Sequence, residues 1–394
     1  MITINRNVLK SALSNALKSI NTSAALPVLE CVLVSVEGQR LRLATTDLVT
    51  TFEQWIPLGS MALEEMAIAV PARLFADMVA QAPAGDITLK IDTKKHEMTC
   101  QAGTSTNKIK CQDPCEFPPL PARPDHASTR LPAGAWQTIA ARIAVAAHPE
   151  EVRPVLTGVL LAFAHESFTA VATDGFRLVA QTFACQTGIE EDVLVPAKGF
   201  AKAAAILGDE HPVELLHEGS RLIAFTEDAL VAFQLIDQKY PDWQQIIPAS
   251  FTNQTIVAHK GFEQAVKQAL VISRGSDNKF AINLAAENNA VVVVGRDDAG
   301  SQSQSTLHSD IASRAFFTIN GAFLLQTVTA LKSAVNLKLQ SNQSTKAIQI
   351  TSDQEPGFMA ILMPITLGES HDLARADEMR SLAKAASIAM GMAE

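Results

Sequence analysis

The side chains that could catalyse a reaction are few and widely spaced in this sequence. Asp174 and the pair Asp297-Asp298 stand in short turns and are the carboxylates that could serve as general acids or bases. These turns are about 120 residues apart, in separate repeats of the chain, so the carboxylates are not expected to share one site. The motifs Gly-x-Ser-x-Gly, His-Glu-x-x-His, Gly-x-Gly-x-x-Gly and the P-loop are all absent. Catalysis is therefore an alternative without a candidate active site.

A metal site is equally poorly supported. Cys111-x3-Cys115, with Cys100 and His96 nearby, is an incomplete ligand set, because a structural zinc site uses four well-placed ligands. The five cysteines have irregular spacing, which fits packed thiols in a reducing cytosol and not a disulfide framework. We predict no metal and no cofactor.

Basic residues on predicted helices suggest a different chemistry, the binding of phosphates. The net charge is −9, but the helices carry few carboxylates, chiefly Asp77 and Glu263, so they form basic islands in an acidic chain. A lysine on one helix is explained by solvation, whereas a bias shared by six helices predicts a surface that attracts a polyanion without reading its sequence. The tally includes Arg6 and Lys260, and the residues predicted to face DNA are Lys10, Lys18, Arg73, Arg142, Lys198, Lys202, Lys267, Arg274 and Lys332.

These helices belong to a pattern that occurs three times, at intervals of about 120 residues. Val70-Pro71-Ala72-Arg73, Val195-Pro196-Ala197-Lys198 and Ile319-Asn320-Gly321-Ala322 each open an apolar helical stretch. This interval is far longer than that of a solenoid repeat, so each unit is large enough to be a domain with its own core. Proline-rich segments follow the first two units, and we predict domains at 1–122, 129–249 and 252–368, with an extension at 369–394.

Periodicity predicts two helices among antiparallel strands in each unit, which is an α+β fold. Predicted helices cover 8–20, 72–82, 135–147, 197–207, 261–273 and 322–331. Predicted strands cover 32–36, 41–44, 87–91, 97–100, 157–163, 168–173, 213–216, 222–226, 231–235, 280–285, 290–295, 335–339, 347–351 and 358–363. The amino terminus has no secretory pattern, and no apolar run approaches the roughly 18 residues of a membrane span, so we expect a cytoplasmic protein.

Several motifs, taken together, resemble the bacterial sliding clamp, the beta subunit of DNA polymerase III. The strongest is Val171-Ala172-Thr173-Asp174-Gly175-Phe176-Arg177-Leu178, and Leu26-Pro27-Val28-Leu29, Tyr240-Pro241-Asp242 and Met363-Pro364-Ile365-Thr366-Leu367 are further matches. The resemblance covers residues 1–368 in order. It implies a non-catalytic homodimer, closed head to tail into a ring whose helices line the hole and whose sheets form the rim. Such a ring encircles duplex DNA and tethers the polymerase III alpha subunit, the clamp-loader delta subunit and other proteins with a clamp-binding motif.

The resemblance also implies a pocket between the second and third domains for a peptide of about five residues, of the Gln-Leu-x-Leu-Phe kind. An apolar cleft with a few polar groups suits such a peptide. For Leu178 or Ile361 alone, core packing would explain the side chain equally well. The corresponding residues here are Leu156, Thr173, Gly175, Phe176, Arg177, Leu178, Pro241, Ile246, Ile361, Leu362, Met363, Pro364 and Ile365.

The chain departs from the family pattern around this pocket and at its end. Ser23-Ala24-Ala25 stands where a DNA-contacting Arg is frequent, Phe176 replaces a usual His or Tyr, and Gln245 and Thr366 replace basic residues. A clamp-like protein that serves other partners is therefore the alternative. Residues 373–392 have helical spacing, and they form either a helix that covers the pocket or a tail without fixed structure.

Overall fold

The computed structural model describes residues 1–20, 26–59, 65–150, 152–274, 281–287, 289–312, 315–342, 347–365 and 369–390. Ser23, Ala24, Ala25 and Thr366, noted above as departures, lie outside these ranges. In the described part of the chain, long antiparallel strands are interspersed with seven helices, which confirms the α+β prediction. None of the described helices is long and apolar enough to cross a membrane.

The order of elements is the same in all three repeats: one strand, a helix, four strands, a helix and three strands. The first repeat contains β1 (Ile2–Asn5), α1 (Arg6–Ser19), β2 (Cys31–Glu37), β3 (Arg40–Thr46), β4 (Thr50–Pro57), β5 (Met66–Pro71), α2 (Ala72–Gln81), β6 (Asp86–Asp92), β7 (Glu97–Ala102) and β8 (Ser105–Lys110). The second contains β9 (Thr129–Arg130), α3 (Ala135–Thr138), β10 (Gly158–Ala164), β11 (Ser167–Thr173), β12 (Arg177–Ala184), β13 (Val193–Pro196), α4 (Ala197–Leu207), β14 (Glu214–Glu218), β15 (Arg221–Phe225) and β16 (Ala229–Gln234). The third contains β17 (Asn253–Ala258), α5 (His259–Ser273), β18 (Ala281–Glu287), β19 (Ala290–Arg296), β20 (Gln302–Ala312), β21 (Ala315–Asn320), α6 (Gly321–Ala330), β22 (Asn336–Ser341), β23 (Ile348–Thr351) and β24 (Phe358–Leu362), and α7 (Glu369–Ala389) follows it.

The contacts between residues divide the chain into two compact units, and the division passes through the second repeat. Unit 1 comprises 1–140, 161–168 and 184–238, and unit 2 comprises 141–160, 169–183 and 239–394. Neither unit is a single repeat, and the predicted domain bounds stay a prediction.

In unit 1, an eight-stranded sheet joins the first repeat to part of the second. Its strand order is β5-β2-β3-β4-β16-β15-β14-β9, and β1-β6-β7-β8 form a separate four-stranded sheet. Helices α1 and α4 pack against each other and against β4, and α2 packs against α1 and β2. Phe200 of α4 stacks on both Trp136 and Phe233, which also stack on each other, so an aromatic cluster fixes α4 on β16.

The other face of this sheet carries the segment between the first two repeats. Phe117 and Leu120 pack against Leu33, Ala44 and Ala69 of β2, β3 and β5. Further along, the guanidinium of Arg123 lies 4.9 Å from the centre of the Trp55 ring and donates to the Thr226 carbonyl. Helices therefore cover one face of the sheet and the connecting segment covers the other.

In unit 2, the strand order is β12-β24-β23-β22-β17-β20-β19-β18-β21. Helix α5 packs so closely on β19 that a Cβ added at Gly295 would lie 2.1 Å from the Ala269 carbonyl oxygen. Helix α7 packs on the opposite face of the same strands, where Ala376, Met379 and Ala383 meet Val292 and Val294. Of the two alternatives left open for the extension, the structure therefore shows the helix.

The prediction of one regular α-helix over residues 135–147 is wrong. It begins as α3, continues as a π-helical segment over Ile139–Ile143 and ends as a 3-10 turn over Ala144–Ala146. Ile139 and Ile143 are fully buried, while Arg142 reaches a buried carboxylate on the far side, so tertiary packing overrides the helical period here. Ten strands of the described chain were not among those predicted: β1, β4, β5, β8, β9, β12, β13, β17, β20 and β21. Of these, β8 and β20 are rich in polar residues and lack the alternation of a half-buried strand.

A capped aspartate turn precedes the fourth strand of each repeat. Asp47 Oδ1 accepts hydrogen bonds from the backbone of Val49 and Thr50, and Asp174 Oδ1 accepts them from Phe176 and Arg177. Asp297 Oδ1 likewise accepts from Ala299 and Ser301, and these bonds hold the pKa of Asp297 below its usual value. The carboxylates considered above as acids or bases therefore cap turns in separate repeats.

Candidate functional site

The pairing of β12 with β24 brings together the two strongest motifs of the predicted pocket. Arg177 lies opposite Leu362 and Leu178 opposite Ile361 in an antiparallel ladder. The ladder extends beyond the strands, since the Met363 amide donates to the Phe176 carbonyl at 2.9 Å. Residues 173–178 and 361–363, which are far apart in the sequence, therefore form one continuous edge.

The predicted pocket residues separate into an exposed group and a supporting group. Phe176 is 65% exposed, and Ile246 and Met363 are each 43% exposed, which is unusual for large apolar side chains. Gly175 and Pro241 are also exposed, and Pro364 and Ile365 are half-buried. The supporting side chains are buried: Leu156, Thr173, Arg177, Leu178, Ile361 and Leu362.

Two further segments approach this edge. The turn Pro154–Thr157 holds Leu156, and Arg153 next to it reaches to within 3.8 Å of the position that a Gly175 Cβ would take. Tyr240 is buried beside Thr173 and Asp174, and burial raises the pKa of its phenol. The buried Tyr240 side chain anchors the backbone next to Pro241. Ile246 ends the short turn Trp243–Ile246, and Gln245 in that turn donates to Asp242.

The side chain of Arg177 is buried and all three of its nitrogens donate hydrogen bonds. Nε donates to Asp174 Oδ2 at 3.1 Å, Nη1 to Gln326 Oε1 at 2.5 Å and Nη2 to the Val145 carbonyl at 2.5 Å. The guanidinium carbon lies 4.2 Å from the centre of the Phe323 ring. Burial lowers the pKa of Arg177, while Asp174 acts in the opposite direction. An arginine among apolar strand residues is thus explained by contacts with α6 and with the segment after α3.

Phe323, Gln326 and Val145 are absent from the predicted site. Gln326 and Arg177 are 149 positions apart, and nothing in the local sequence of α6 distinguishes Gln326 from other polar residues on a helix. Only the equivalence of α6 with α2 and α4 could have suggested that this helix supports a junction.

The basic residues are considered unit by unit. In unit 1, Lys10 and Lys18 of α1, Arg73 of α2 and Lys198 of α4 are exposed, and Lys202 of α4 is half-buried. In unit 2, Lys267 and Arg274 of the α5 region and Lys332 after α6 are exposed, and Lys267 pairs with Glu263 at 2.6 Å.

Arg142 differs from the other eight. It forms a largely buried ion pair with Glu355, whose second oxygen accepts from the Ser333 amide at 2.8 Å. Its charge is neutralised inside the protein, which differs from the exposed position expected of it.

The extension does not cover the pocket with the residues that the structure describes. Its buried side chains, including Met379 and Ala383, contact β18, β19 and β21. The pocket-covering hypothesis is therefore wrong for residues 376–386: small apolar side chains on one face of α7 match an apolar sheet face elsewhere in unit 2.

The cysteines lie in the protein as free thiols, and no described cluster of His, Cys, Asp and Glu could hold a metal ion. Burial raises the pKa of both Cys31 and Cys111 to about 11, so these thiols are unreactive at neutral pH.

Three like α+β repeats, joined edge to edge by antiparallel strands and carrying basic helices, define the class of DNA clamps built from repeated domains. Comparison with known families agrees with this. Residues 1–121 match the DNA polymerase III beta subunit, N-terminal domain, and residues 130–242 match the central domain of the same subunit. The chain belongs to the DNA polymerase III beta subunit family.

Individual relatives extend the match over nearly the whole chain. The protein named "Beta sliding clamp" of Synechococcus elongatus is 24% identical over 369 residues, which are 92% of this chain and 98% of the relative. The "Beta sliding clamp" of Pseudomonas putida is 24% identical over 93% of this chain and 99% of its own length. Among solved structures, the beta subunit of Streptococcus pyogenes DNA polymerase has a TM-score of 0.86 at 23% identity, covering 92% of this chain and 99% of the other.

Proposed function

We propose that this protein is a DNA polymerase processivity factor, a non-catalytic sliding clamp. Two copies close head to tail into a ring that encircles duplex DNA without sequence preference. The pocket around Phe176 and Met363 binds a short peptide of the polymerase and of other replication proteins.

The observation that carries the proposal is a junction that occurs twice within the chain. The fourth strand of the first repeat, β4, pairs with the last strand of the second, β16. The fourth strand of the second repeat, β12, pairs with the last strand of the third, β24. The same rule leaves β20 of the third repeat and β8 of the first repeat as the two halves of a third junction, which would form between two copies of the chain. Heterologous contacts of this kind generate a ring when the rotation closes.

The helices follow the same rule as the strands. In unit 1, the first helix of the first repeat, α1, packs on the second helix of the second repeat, α4. At the junction between copies, α5 of one protomer would meet α2 of its partner. Exposed apolar side chains suit this contact, since Val271 of α5 is 68% exposed and Leu74 of α2 is 51% exposed.

Exposed lysines and arginines on these helices support a sequence-independent grip on DNA. Phosphate contacts are long-ranged and weaken with salt, so a duplex can slide past them. Retention on DNA then comes from the topology of the ring and not from affinity.

A test of this function uses DNA of two topologies. The protein is loaded on nicked circular DNA with the clamp loader and ATP of the same organism, and the complex is isolated by gel filtration in 0.3 M salt. We expect retention on the circle, and complete release after a restriction enzyme linearises it. Equal loss from circular and linear DNA would contradict encirclement.

Peptide binding is tested separately, by fluorescence polarisation with a labelled Gln-Leu-x-Leu-Phe pentapeptide and the full chain. Micromolar binding supports the polymerase-tethering role. A ring that forms on DNA but does not bind this peptide would favour the alternative of a clamp that serves other partners. The exposed Phe176 and the uncharged Gln245 are the observations that support this alternative.

A further inference from the structure

The guanidinium of Arg177 is largely committed to contacts inside the protein. Its side chain is buried, each of its three nitrogens donates to Asp174, Gln326 or Val145, and the Phe323 ring lies against its face. These bonds use three of its five N–H groups, which limits what a bound peptide can gain from direct contact with it. The contribution of Arg177 to the pocket therefore includes what the side chain holds in place.

What Arg177 holds in place is the turn that displays Phe176. Asp174 Oδ2 accepts from Arg177 Nε, while Oδ1 of the same carboxylate accepts from the Phe176 amide at 2.9 Å. The Phe176 carbonyl in turn accepts from the Met363 amide. A continuous chain of hydrogen bonds thus connects the guanidinium to the two most exposed residues of the pocket edge.

We propose that Gln326 of α6 is a positioning residue for the peptide pocket, acting on Phe176 through Arg177 and Asp174. This inference rests on the proposed function, because it concerns the affinity of the same pocket. Gln326 lies on the third repeat and Arg177 on the second, so the hydrogen bond between them also ties the pocket edge to the helix of the next repeat.

The reason for assigning the role to Gln326 is that, among the described residues, it supplies the one side-chain acceptor for Arg177 that is remote in sequence. Asp174 is only three residues from Arg177 and moves with the turn, whereas Gln326 is fixed on α6. Gln326 is exposed at the margin of the site, and its bond with Arg177 is part-buried. Removing its oxygen leaves the Nη1 donor of a buried, charged side chain without its protein partner, and the guanidinium must turn toward solvent to donate to water instead. The turn would then lose its fixed orientation, and binding would have to restore it.

The experiment measures pentapeptide affinity by fluorescence polarisation for the full-length variants Gln326→Leu and Gln326→Glu. Leucine keeps the size of the side chain and removes the acceptor, and we expect about tenfold weaker binding, which corresponds to about 1.4 kcal/mol. Glutamate keeps an acceptor at the same position, and we expect its affinity to stay within about twofold of wild type, since a charge-assisted bond is at least as strong.

Met379→Ala is the control for a general loss of stability in unit 2. Met379 is fully buried between α7 and the sheet, in a cluster that contains none of the residues that hydrogen-bond to Arg177. Urea unfolding of all variants shows how much stability each change removes. We expect Met379→Ala to lose stability without losing affinity.

The outcomes separate the positioning role from the proposed function. Wild-type protein that does not bind the peptide contradicts the tethering function itself. Wild-type binding with unchanged affinity in Gln326→Leu overturns the positioning role alone. Equal loss of affinity in Gln326→Leu and Met379→Ala also overturns it, because general loosening of unit 2 would then explain both.

Discussion

Arg296 of β19 and Glu378 of α7 form a two-pronged ion pair, with Nη1–Oε2 and Nη2–Oε1 distances of 2.9 and 2.5 Å. The pair anchors the extension to the third repeat at the end of an apolar contact formed by Ala285, Val294 and Phe316. These residues lie on β18, β19 and β21, the counterparts of β2, β3 and β5 in the first repeat. There, the segment with Phe117 and Leu120 covers the same face. Helix α7 therefore takes the place that a connecting segment takes after an earlier repeat.

This placement predicts that α7 contributes to stability. Met379 is fully buried, and Met379→Ala should lower the free energy of unfolding by about 2–5 kcal/mol, because it removes apolar contacts and leaves a cavity. Urea unfolding followed by circular dichroism measures the change. Lys384→Ala, on the exposed side of the same helix, is the control and should have little effect. Pentapeptide affinity should be the same in the wild type, Met379→Ala and Lys384→Ala. Higher affinity in Met379→Ala would instead support a helix that covers the pocket.

If the proposed junction holds two copies together, a charge inserted into it should give a monomer. Val271→Asp on α5, or Leu74→Asp on α2, places a carboxylate in the contact expected between copies and should convert the dimer to a monomer. Sedimentation equilibrium at micromolar concentration measures the conversion. Both side chains are exposed in one protomer, so the thermal midpoint of the monomer should not fall. Ile388→Asp, an exposed apolar residue on α7, is the control and should remain dimeric. A dimer in all three variants would exclude this junction.

Glu53 predicts a pH dependence of stability in unit 1. Its side chain is fully buried with Arg42 as its ion-pair partner, and burial raises its pKa from 4.5 to about 7 despite that partner. The folded state therefore binds the proton more tightly than the unfolded chain. This stabilisation is complete below pH 4.5 and is lost as the pH rises through about 7, by up to about 3 kcal/mol.

Glu53→Gln removes the titrating group and tests this directly. The free energy of unfolding of the wild type should fall relative to that of Glu53→Gln between pH 5 and pH 8. Glu37→Gln removes the more exposed partner of the same Arg42. Because the Glu37 charge also raises the pKa of Glu53, this variant should keep the shape of the wild-type profile and move it to slightly lower pH. Parallel profiles for wild type and Glu53→Gln would show that Glu53 is ionised throughout.

The basic helix faces predict a salt-dependent effect on DNA binding. Lys10→Glu with Lys18→Glu on α1 should weaken binding to duplex DNA of any sequence, and should reduce the slope of log affinity against log salt by about one for each lost contact. Lys94→Glu with Lys95→Glu changes the charge equally in the turn between β6 and β7 and serves as the control. The Lys10 and Lys18 hypothesis fails if all of these proteins bind with the same slope.

Much of this architecture could be predicted from local patterns. Alternating apolar residues and prolines at helix starts predicted the helix 197–207 with the bounds that α4 has, and the recurring turns predicted three like repeats. These features depend on neighbours within a few residues, where periodicity and turn chemistry act. The run 135–147 shows the limit, since its apolar period is helical but Arg142 must reach Glu355, 213 positions away.

The pocket shows the same division between sequence and tertiary structure. By itself, the sequence determined the repeats, one of the two strands that meet at the pocket, β24, and, through the family resemblance, the identity of the residues along its edge. Only the tertiary structure decided that Phe176 is displayed while Arg177 is buried, that Gln326 and Phe323 support it, and that α7 lies on a sheet face away from the pocket. Those outcomes depend on pairings between residues remote in the chain, which are selected by burial and hydrogen-bond satisfaction in the folded protein and leave no periodic signal in the sequence.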